Sequence, residues 1–346
     1  MLSEYNIVYA SDNSFASIMG TSIYSLLVNN TDAKRININI LDSGINKINK
    51  DRIELILEKF NNAFINWISV GSISSQIGID VQNDRGSFSQ YSRLFIDDVL
   101  DKSIDRVLYL DCDTVVISSI KELWNMDLQD KVVGAFKDAF SKYYRKVIDL
   151  DENDIMFNSG VMLIDLKKWR ELKIRSKILK YIISNNGKVQ QGDQGALNAV
   201  LSSDVLPLDP KYNLVSILYE LSFNELKIYR RPINFYTKAT INKAVLDPVI
   251  VHYTSSFYSI RPWFSNSNHP LKMYWRLYFK KTPWENKLLP YERKKWISYL
   301  FYHGFKKPIL YCASIGQVYL RPLKNYLIKQ CNNFLLIYKD EENLEK

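Results

Sequence analysis

Val107-Leu108-Tyr109-Leu110-Asp111-Cys112-Asp113-Thr114 joins an apolar, β-prone run to two carboxylates one residue apart. The run predicts a buried strand of an α/β sheet, and ligands of such sheets bind beyond the carboxyl ends of the strands. Side chains at i and i+2 of a strand share a face, so Asp111 and Asp113 are placed to reach one hard divalent cation. A metal-bound diphosphate suits that geometry. A strand-end turn whose aspartates only bond backbone groups fits the same letters, so the rest of the chain has to decide.

Outward from this strand, segments rich in β-branched and apolar residues recur at Asn6–Ala10, Ile36–Leu41, Phe64–Val70, Arg106–Leu110, Val132–Phe136 and Gly160–Leu166, with helical segments between them. The alternation predicts an α/β sandwich around a largely parallel sheet. Phe15, Ile18, Met19, Ile23, Leu26 and Leu27 trace one face of a helix over Phe15–Val28, with Ser14 as its expected N-cap. Ser87-Phe88-Ser89-Gln90 resembles a capping box that opens a helix through Tyr91, Leu94, Phe95 and Val99, with Arg93 in its early part. No internal repeat or low-complexity stretch is present. Composition shifts after Pro262-Trp263, and the domain boundary is expected near residue 271, giving a catalytic unit over 1–271 and an extension over 272–346.

The turns after the strands carry the other candidate groups. In Ala10-Ser11-Asp12-Asn13 the backbone and Asp12 can hold a base or ribose, or form a simple Asx turn. Asp138, after Val132–Phe136, can accept a bond from a sugar hydroxyl or be a solvated loop acid. Asn158-Ser159-Gly160 leads into a buried strand. Asn158 offers donor and acceptor together, and Gly160 permits close approach of a ligand or backbone. Asp165 and Lys167-Lys168 read as structural. Gly192-Asp193-Gln194 opens an apolar helix, where the acid and amide either cap it or face a reacting sugar. His252 ends Pro248-Val249-Ile250-Val251. It is a third metal ligand or a structural strand-end histidine, and Arg261-Pro262-Trp263 supplies a cation for phosphate.

Composition narrows the class. The chain has 346 residues, 47% hydrophobic and 24% charged, enough for a large core plus an appendage. Its start lacks a basic region followed by an apolar core, and no apolar run approaches the roughly 20 residues of a spanning helix. Cys112, Cys312 and Cys331 leave one thiol unpaired in any disulfide scheme, which favours a reducing compartment, the cytoplasm. The net charge of +9 is uneven: residues 1–271 hold 31 Lys+Arg against 31 Asp+Glu, whereas 272–339 hold 14 against 2. Trp275, Trp284, Tyr299, Tyr311, Tyr326 and other aromatics are interleaved with those cations. Such a helical tail suits the anionic inner face of a cell membrane, or it is an add-on with a solvated charged face. No nucleic-acid-binding motif accompanies it.

Taken together, Ile7-Val8-Tyr9-Ala10-Ser11-Asp12, Tyr109-Leu110-Asp111-Cys112-Asp113, the Asn158–Arg170 block, Gly192-Asp193-Gln194 and His252 with Arg261-Pro262-Trp263 resemble glycosyltransferase family 8 in order and spacing over roughly residues 5–275. That family includes bacterial lipopolysaccharide galactosyl- and glucosyltransferases. The resemblance implies a GT-A fold, a Rossmann-like nucleotide-sugar sandwich, and transfer of galactose or glucose from UDP-galactose or UDP-glucose with retention. It implies Mn²⁺, with Mg²⁺ as the alternative, on Asp111, Asp113 and His252. It places Asp12 and its turn, including Ala10, at the uracil and ribose. Arg93, Asp138 and Asn158 fall at the donor sugar or diphosphate, with Cys112 and Ser159 in the same donor-binding segments. Asp193 and Gln194 fall below the anomeric carbon, as catalytic residues. The acceptor implied is a saccharide, lipid-linked or on a glycoprotein. The family pattern has His followed six residues later by Lys-Pro-Trp; here Tyr258 holds that position and Arg261 comes three residues later, as an insertion with Lys replaced by Arg.

Two other classes compete. Leu108–Val116 also resembles the nucleophile strand of haloacid-dehalogenase-type phosphatases, although several strand–helix units precede it and no later acidic pair completes that site. A membrane-surface adaptor that binds a sugar nucleotide without catalysis is the third class.

Overall fold

The computed structural model describes residues 4–71, 77–81 and 89–330. Ser87 and Phe88 of the expected capping box, Cys331, Phe334, Tyr338 and the acidic end lie outside the described residues. Among the described residues the strands are β1 (Glu4–Ser11), β2 (Arg35–Asp42), β3 (Ala63–Ser69), β4 (Arg106–Leu110), β5 (Thr114–Val116), β6 (Val133–Lys137), β7 (Phe157–Asp165), β8 (Val205–Pro207), β9 (Leu214–Val215) and β10 (Ile250–His252). Seven of them form one sheet in the order β3-β2-β1-β4-β7-β6-β8. Neighbours are parallel except around β7, which runs antiparallel between β4 and β6. The expected α/β sandwich with a mostly parallel sheet is the fold that forms.

Residues on both faces of β1 and β2 are buried, as expected for parallel strands covered on two sides, whereas edge strand β3 is half-exposed. Helices α1 (Ala16–Val28) and α2 (Lys47–Leu57) bury Ile18, Met19, Ile23, Leu26 and Ile53 against Ile7, Tyr9, Ile38 and Ile40. On the other face, α3 (Leu166–Glu171), α4 (Ile174–Ser184) and α5 (Gly192–Leu201) bury Trp169, Ile178 and Leu197 against Val8, Tyr109 and Met162. Each such aliphatic side chain contributes about 1.5–3 kcal/mol by leaving water.

Two local expectations are corrected. Ser14 does not cap α1. Asp12 Oδ1 accepts from Ser14 N (2.9 Å) and Ser14 Oγ (2.5 Å), closing a 3₁₀ turn over Asn13–Phe15, and α1 opens at Ala16 without a side-chain cap. A carboxylate outcompetes a hydroxyl as acceptor for a free amide, so the turn begins two residues earlier. The segment through Tyr91, Leu94 and Phe95 is a 3₁₀ stretch, Ser89–Phe95, with only one α-helical turn at Ile96–Val99.

A smaller sheet, β5-β10-β9, stands beyond the end of β4. In it His252 lies opposite Thr114 on β5 and beside Val215 on β9. Helices α6 (Phe223–Arg230) and α7 (Lys238–Leu246) follow β9. Past residue 271, α8 (Lys272–Phe279) sends Trp275 and Phe279 into the α1 side of the core, joined by Trp284, which lies over Gly20. Then α9 (Lys294–Gly304) and α10 (Lys306–Ile315) pack Tyr302 and Leu310 with Leu226 and Ile241. A π-turn, Gly316–Leu320, leads into a helix over 321–330. No described helix is long and apolar enough to cross a membrane.

Candidate active site

The register of the large sheet decides where the carboxylates go. Ile7 pairs with Leu108 and Leu110 with Val161, so the carboxyl ends of β1 and β4 lie beside the first half of the antiparallel β7. Asp111 N donates to Gly160 O (2.7 Å), and Thr114 N closes back on Asp111 O (3.2 Å). Asp111-Cys112-Asp113 is therefore a turn between β4 and β5. Strand alternation does not bring the two carboxylates together; the turn does, so the local bonding of a strand-end turn and the convergence of the acids coexist.

Ligand atoms of Asp111, Asp113 and His252 all lie within 4.8 Å of one another. His252 Nε2 is 3.1 Å from Asp113 Oδ1 and 3.7 Å from Asp111 Oδ2. Burial alone would lower the imidazole's pKa, but Asp113 and Asp111 outweigh it and the net shift is upward, so the pocket favours positive charge. Asn213, fully buried, holds the ring from behind: its Nδ2 donates to Asn158 Oδ1 (2.9 Å), which turns its Oδ1 toward His252 Nδ1 (2.9 Å). Nδ1 then carries a hydrogen, and Nε2, which faces the carboxylates, donates to Asp113 Oδ1 (3.1 Å) as the structure stands and would offer its lone pair to a bound cation. A Cβ at Gly160 would stand 2.7 Å from Asp111 Oδ2 and 2.8 Å from His252 Nδ1, so only glycine leaves the cradle open. Two carboxylates and a neutral imidazole with an open side are a donor set that Mn²⁺ or Mg²⁺ fits.

Arg93, buried beneath this cluster, ties the neighbouring groups together. It donates from Nη2 to Asp111 Oδ1 (2.7 Å), from Nη1 to Ser159 O (2.8 Å) and from Nε to Gln90 O (3.1 Å), with its guanidinium 4.3 Å above the Tyr109 ring. Its Nε lies 3.0 Å from Asp193 Oδ2, yet the N–H is aimed at Gln90, so that buried oxygen gains charge but no aligned hydrogen bond. Burial raises the Asp193 pKa, Arg93 opposes and Asp111 reinforces, leaving it pushed up to about 6. Gln194 is engaged: Oε1 accepts from Ser159 N (3.2 Å) and Nε2 donates to Gln191 Oε1 (3.2 Å). The β6–β7 register breaks here, Ala135 pairing with Met162 but Phe136 with Asn158, and this bulge turns Asn158 and Ser159 toward the cleft.

The long loop from His252 to Arg261 has an organiser that no motif announced. Glu220, buried, accepts from Phe257 N (2.9 Å), Tyr258 N (3.1 Å), Ser259 N and Ser256 Oγ (2.5 Å). The loop thus folds around one carboxylate and returns Arg261 Nη1 to 4.0 Å from Asp113 Oδ2. Tyr258 instead stacks on Tyr302 at 4.4 Å and 23°. Arg261, not Tyr258, reaches the cleft.

That cleft, about 420 Å³, is lined by Arg93, Asp111, Asp113, Asp138, Asn158, Ser159, Asp193, Gln194, His252 and Arg261, and also by Arg230, Gln317 and Arg321. Asp138 sits on its wall, its carboxyl raised by burial against the nearby Arg230. Ala10, Asp12 and Cys112 stand to one side: Cys112 Sγ donates to Ala10 O (3.2 Å), and neither Cys112 nor Asp12 lines the cleft. An adjoining cavity lined by Ser14, Phe15, Trp263 and Lys287 shares Ser255 and Arg261 with it. Asn213, Glu220, Arg230, Gln317 and Arg321 were not singled out by the sequence. None lies in a spaced motif, and only the tertiary fold brings them here.

A GT-A sandwich with an Asp-Asp-His cluster beyond its strand ends has the architecture of a sugar-transferring enzyme, and comparison with known proteins agrees. The model of glycosyl transferase family 8 matches residues 6–267, and the chain belongs to that family. It is 29% identical to general stress protein A of Bacillus subtilis, covering 81% of this chain and 94% of that protein. It is 26% identical to lipopolysaccharide 1,2-glucosyltransferase of Escherichia coli K12, covering 81% and 79%. The crystal structure of the galactosyltransferase LgtC with donor and acceptor sugar analogues superposes with a TM-score of 0.66 at 24% identity, covering 82% of this chain and all of that one. The chain is a glycosyltransferase, which sets aside the phosphatase and the non-catalytic adaptor.

Proposed function

We propose that this enzyme moves a hexose, galactose or glucose, from a UDP-sugar to a saccharide acceptor with retention, using a divalent cation, Mn²⁺ or alternatively Mg²⁺, held by Asp111, Asp113 and His252. The observation that carries the reading is the convergence of those three ligands within 4.8 Å, with Gly160 keeping the space clear. The names of relatives, a lipopolysaccharide glucosyltransferase and a galactosyltransferase, support a hexose.

When bound, the cation neutralises charge on the diphosphate as the sugar–phosphate bond breaks. Arg261 adds a second positive charge beside Asp113, while the nucleoside runs toward Asp12, Ser14 and the adjoining cavity. Asn158, Ser159 and Asp138 offer polar groups to the sugar. Gln194 has its amide oxygen occupied and is a poor nucleophile. We therefore favour front-face attack: the acceptor oxygen bonds to the anomeric carbon as the carbon–oxygen bond to phosphate breaks, and the hydroxyl proton passes to a phosphate oxygen of departing UDP. Asp193, with one oxygen free of aligned bonds, orients a sugar hydroxyl or, in the alternative, attacks the anomeric carbon itself. Calorimetry should show UDP binding at least about tenfold tighter in Mn²⁺ than in chelator, and hydrolysis of UDP-galactose or UDP-glucose only with metal present. UDP binding indifferent to metal would refute the reading.

The acceptor is proposed to be a lipid-linked or protein-linked glycan met at the cytoplasmic face of the membrane. Support comes from the charge of +12 over residues 272–339 and from Met273, Leu277, Leu323 and Leu327, all exposed on that segment. The chain should sediment with phosphatidylglycerol vesicles, be released by raised salt and be weakened by Leu323→Asp with Leu327→Asp. Equal sedimentation with phosphatidylcholine vesicles would defeat the electrostatic anchor.

A further inference from the structure

The cleft wall that the family match does not reach is basic. Gln317 and Arg321 lie beyond residue 267, where that match ends, yet both line the cavity together with Arg230, the last residue of α6. Their placement is built. The π-turn carrying Gln317 is anchored by Val318, 1% exposed, and Ser314 Oγ just before it donates to Ile228 O on α6 (2.6 Å). Gln317 Nε2 donates to Tyr144 OH (2.8 Å), whose ring packs on Phe140 at 4.9 Å. The Arg230 guanidinium rests 5.5 Å over that same Phe140 ring.

Neither arginine has a carboxylate within ion-pair distance among the described residues, and Arg230 Nε is buried without a hydrogen-bond partner. The Arg230 guanidinium therefore keeps hydrogen-bonding capacity that no described protein group meets. Arg261, by contrast, stands beside Asp113 at the metal end. A guanidinium presents paired N–H groups that match the two oxygens of a carboxylate or phosphate.

We propose that the C-terminal extension completes the acceptor end of this cleft and selects an acceptor saccharide bearing an acid group, carboxylate or phosphate, held by Arg230 and Arg321. This rests on the glycosyltransferase reading of the cleft and names the acceptor's charge. Calorimetry on the full chain first saturated with UDP and Mn²⁺ tests it with three probes: p-nitrophenyl β-glucoside, its 6-phosphate, and p-nitrophenyl β-glucuronide. The expected result is at least a tenfold preference for one charged probe, and which one it is tells phosphate from carboxylate. Arg321→Gln and Arg230→Gln should each reduce that preference toward one, and Arg321→Glu should reverse it. Equal binding of all three probes, binding of none, or variants that weaken UDP while leaving the charged-probe preference intact would overturn the proposal. Failure of the UDP and Mn²⁺ saturation step would instead refute the donor reading beneath it.

Discussion

Asp113→Asn is expected to lower metal-dependent sugar transfer by about a thousandfold or more while leaving the melting temperature nearly unchanged. The side chain faces the cluster: Oδ1 lies 3.1 Å from His252 Nε2 and Oδ2 lies 4.0 Å from Arg261. The structural duty of the residue rests on its backbone, where Asp113 O accepts from Tyr253 N (2.8 Å), and an amide side chain leaves that bond alone. The substituted oxygen can still accept from His252, so no buried donor is orphaned. What is lost is one of two negative charges at the site proposed to hold a doubly charged cation. Initial rates of UDP-sugar turnover across Mn²⁺ concentrations, with thermal denaturation as the control, check this. A variant that turns over at the original rate would remove Asp113 from the metal site.

Gly160→Ala keeps every ligand and is nevertheless expected to weaken Mn²⁺ binding, measured in the presence of UDP, by about a hundredfold. The new Cβ would press on Asp111 Oδ2 at 2.7 Å and on the His252 ring. Neither neighbour can step aside. Asp111 Oδ1 is fixed by Arg93 Nη2 (2.7 Å) and Tyr109 OH (3.2 Å), and His252 by Asn213. Gly160 is not among the residues with positive φ, so the effect is steric and the strand itself accepts alanine. Overpacking of this kind costs about 1–3 kcal/mol, which a folded protein of this size survives with a lowered melting temperature. Native Mn²⁺ affinity in Gly160→Ala would show that the cradle is looser than the distances imply.

These two residues also mark how far the letters alone reach. All six strands legible from β-branched runs form, because continuous apolar runs such as Ile7–Tyr9 and Val107–Leu110 have no other way to bury both faces. The Asp-x-Asp pair, His252, Gly160 and Asp193 stood out as candidates in the sequence, the acids and the histidine each beside a structural reading that the letters alone left open. Their geometry was not legible: the Asp111–Asp113 convergence comes from a turn, which spacing cannot separate from strand alternation. Asn213 and Glu220 were invisible because a single asparagine or glutamate gains its role from partners 39 residues away on each, His252 and Ser259. The strands too short for a pattern, β5, β8 and β9, were missed for want of length.

The cradle's three walls have a consequence for how the protein matures. Gly160 follows Asp111 by 49 positions and His252 follows Gly160 by 92, so the site exists only after two long chain closures and the insertion of β7 between β4 and β6. Non-local pairing of that kind is slow to form, and a chain halted before β10 docks on β5 lacks the imidazole wall altogether. A donor and cation bound in that cradle would favour the completed fold over its precursors. At concentrations about a hundred times their dissociation constant they add about 2.7 kcal/mol to the native state and nothing to its precursors. Proteolysis with and without UDP and Mn²⁺ reads this directly, and the expected result is slower cleavage when both are present.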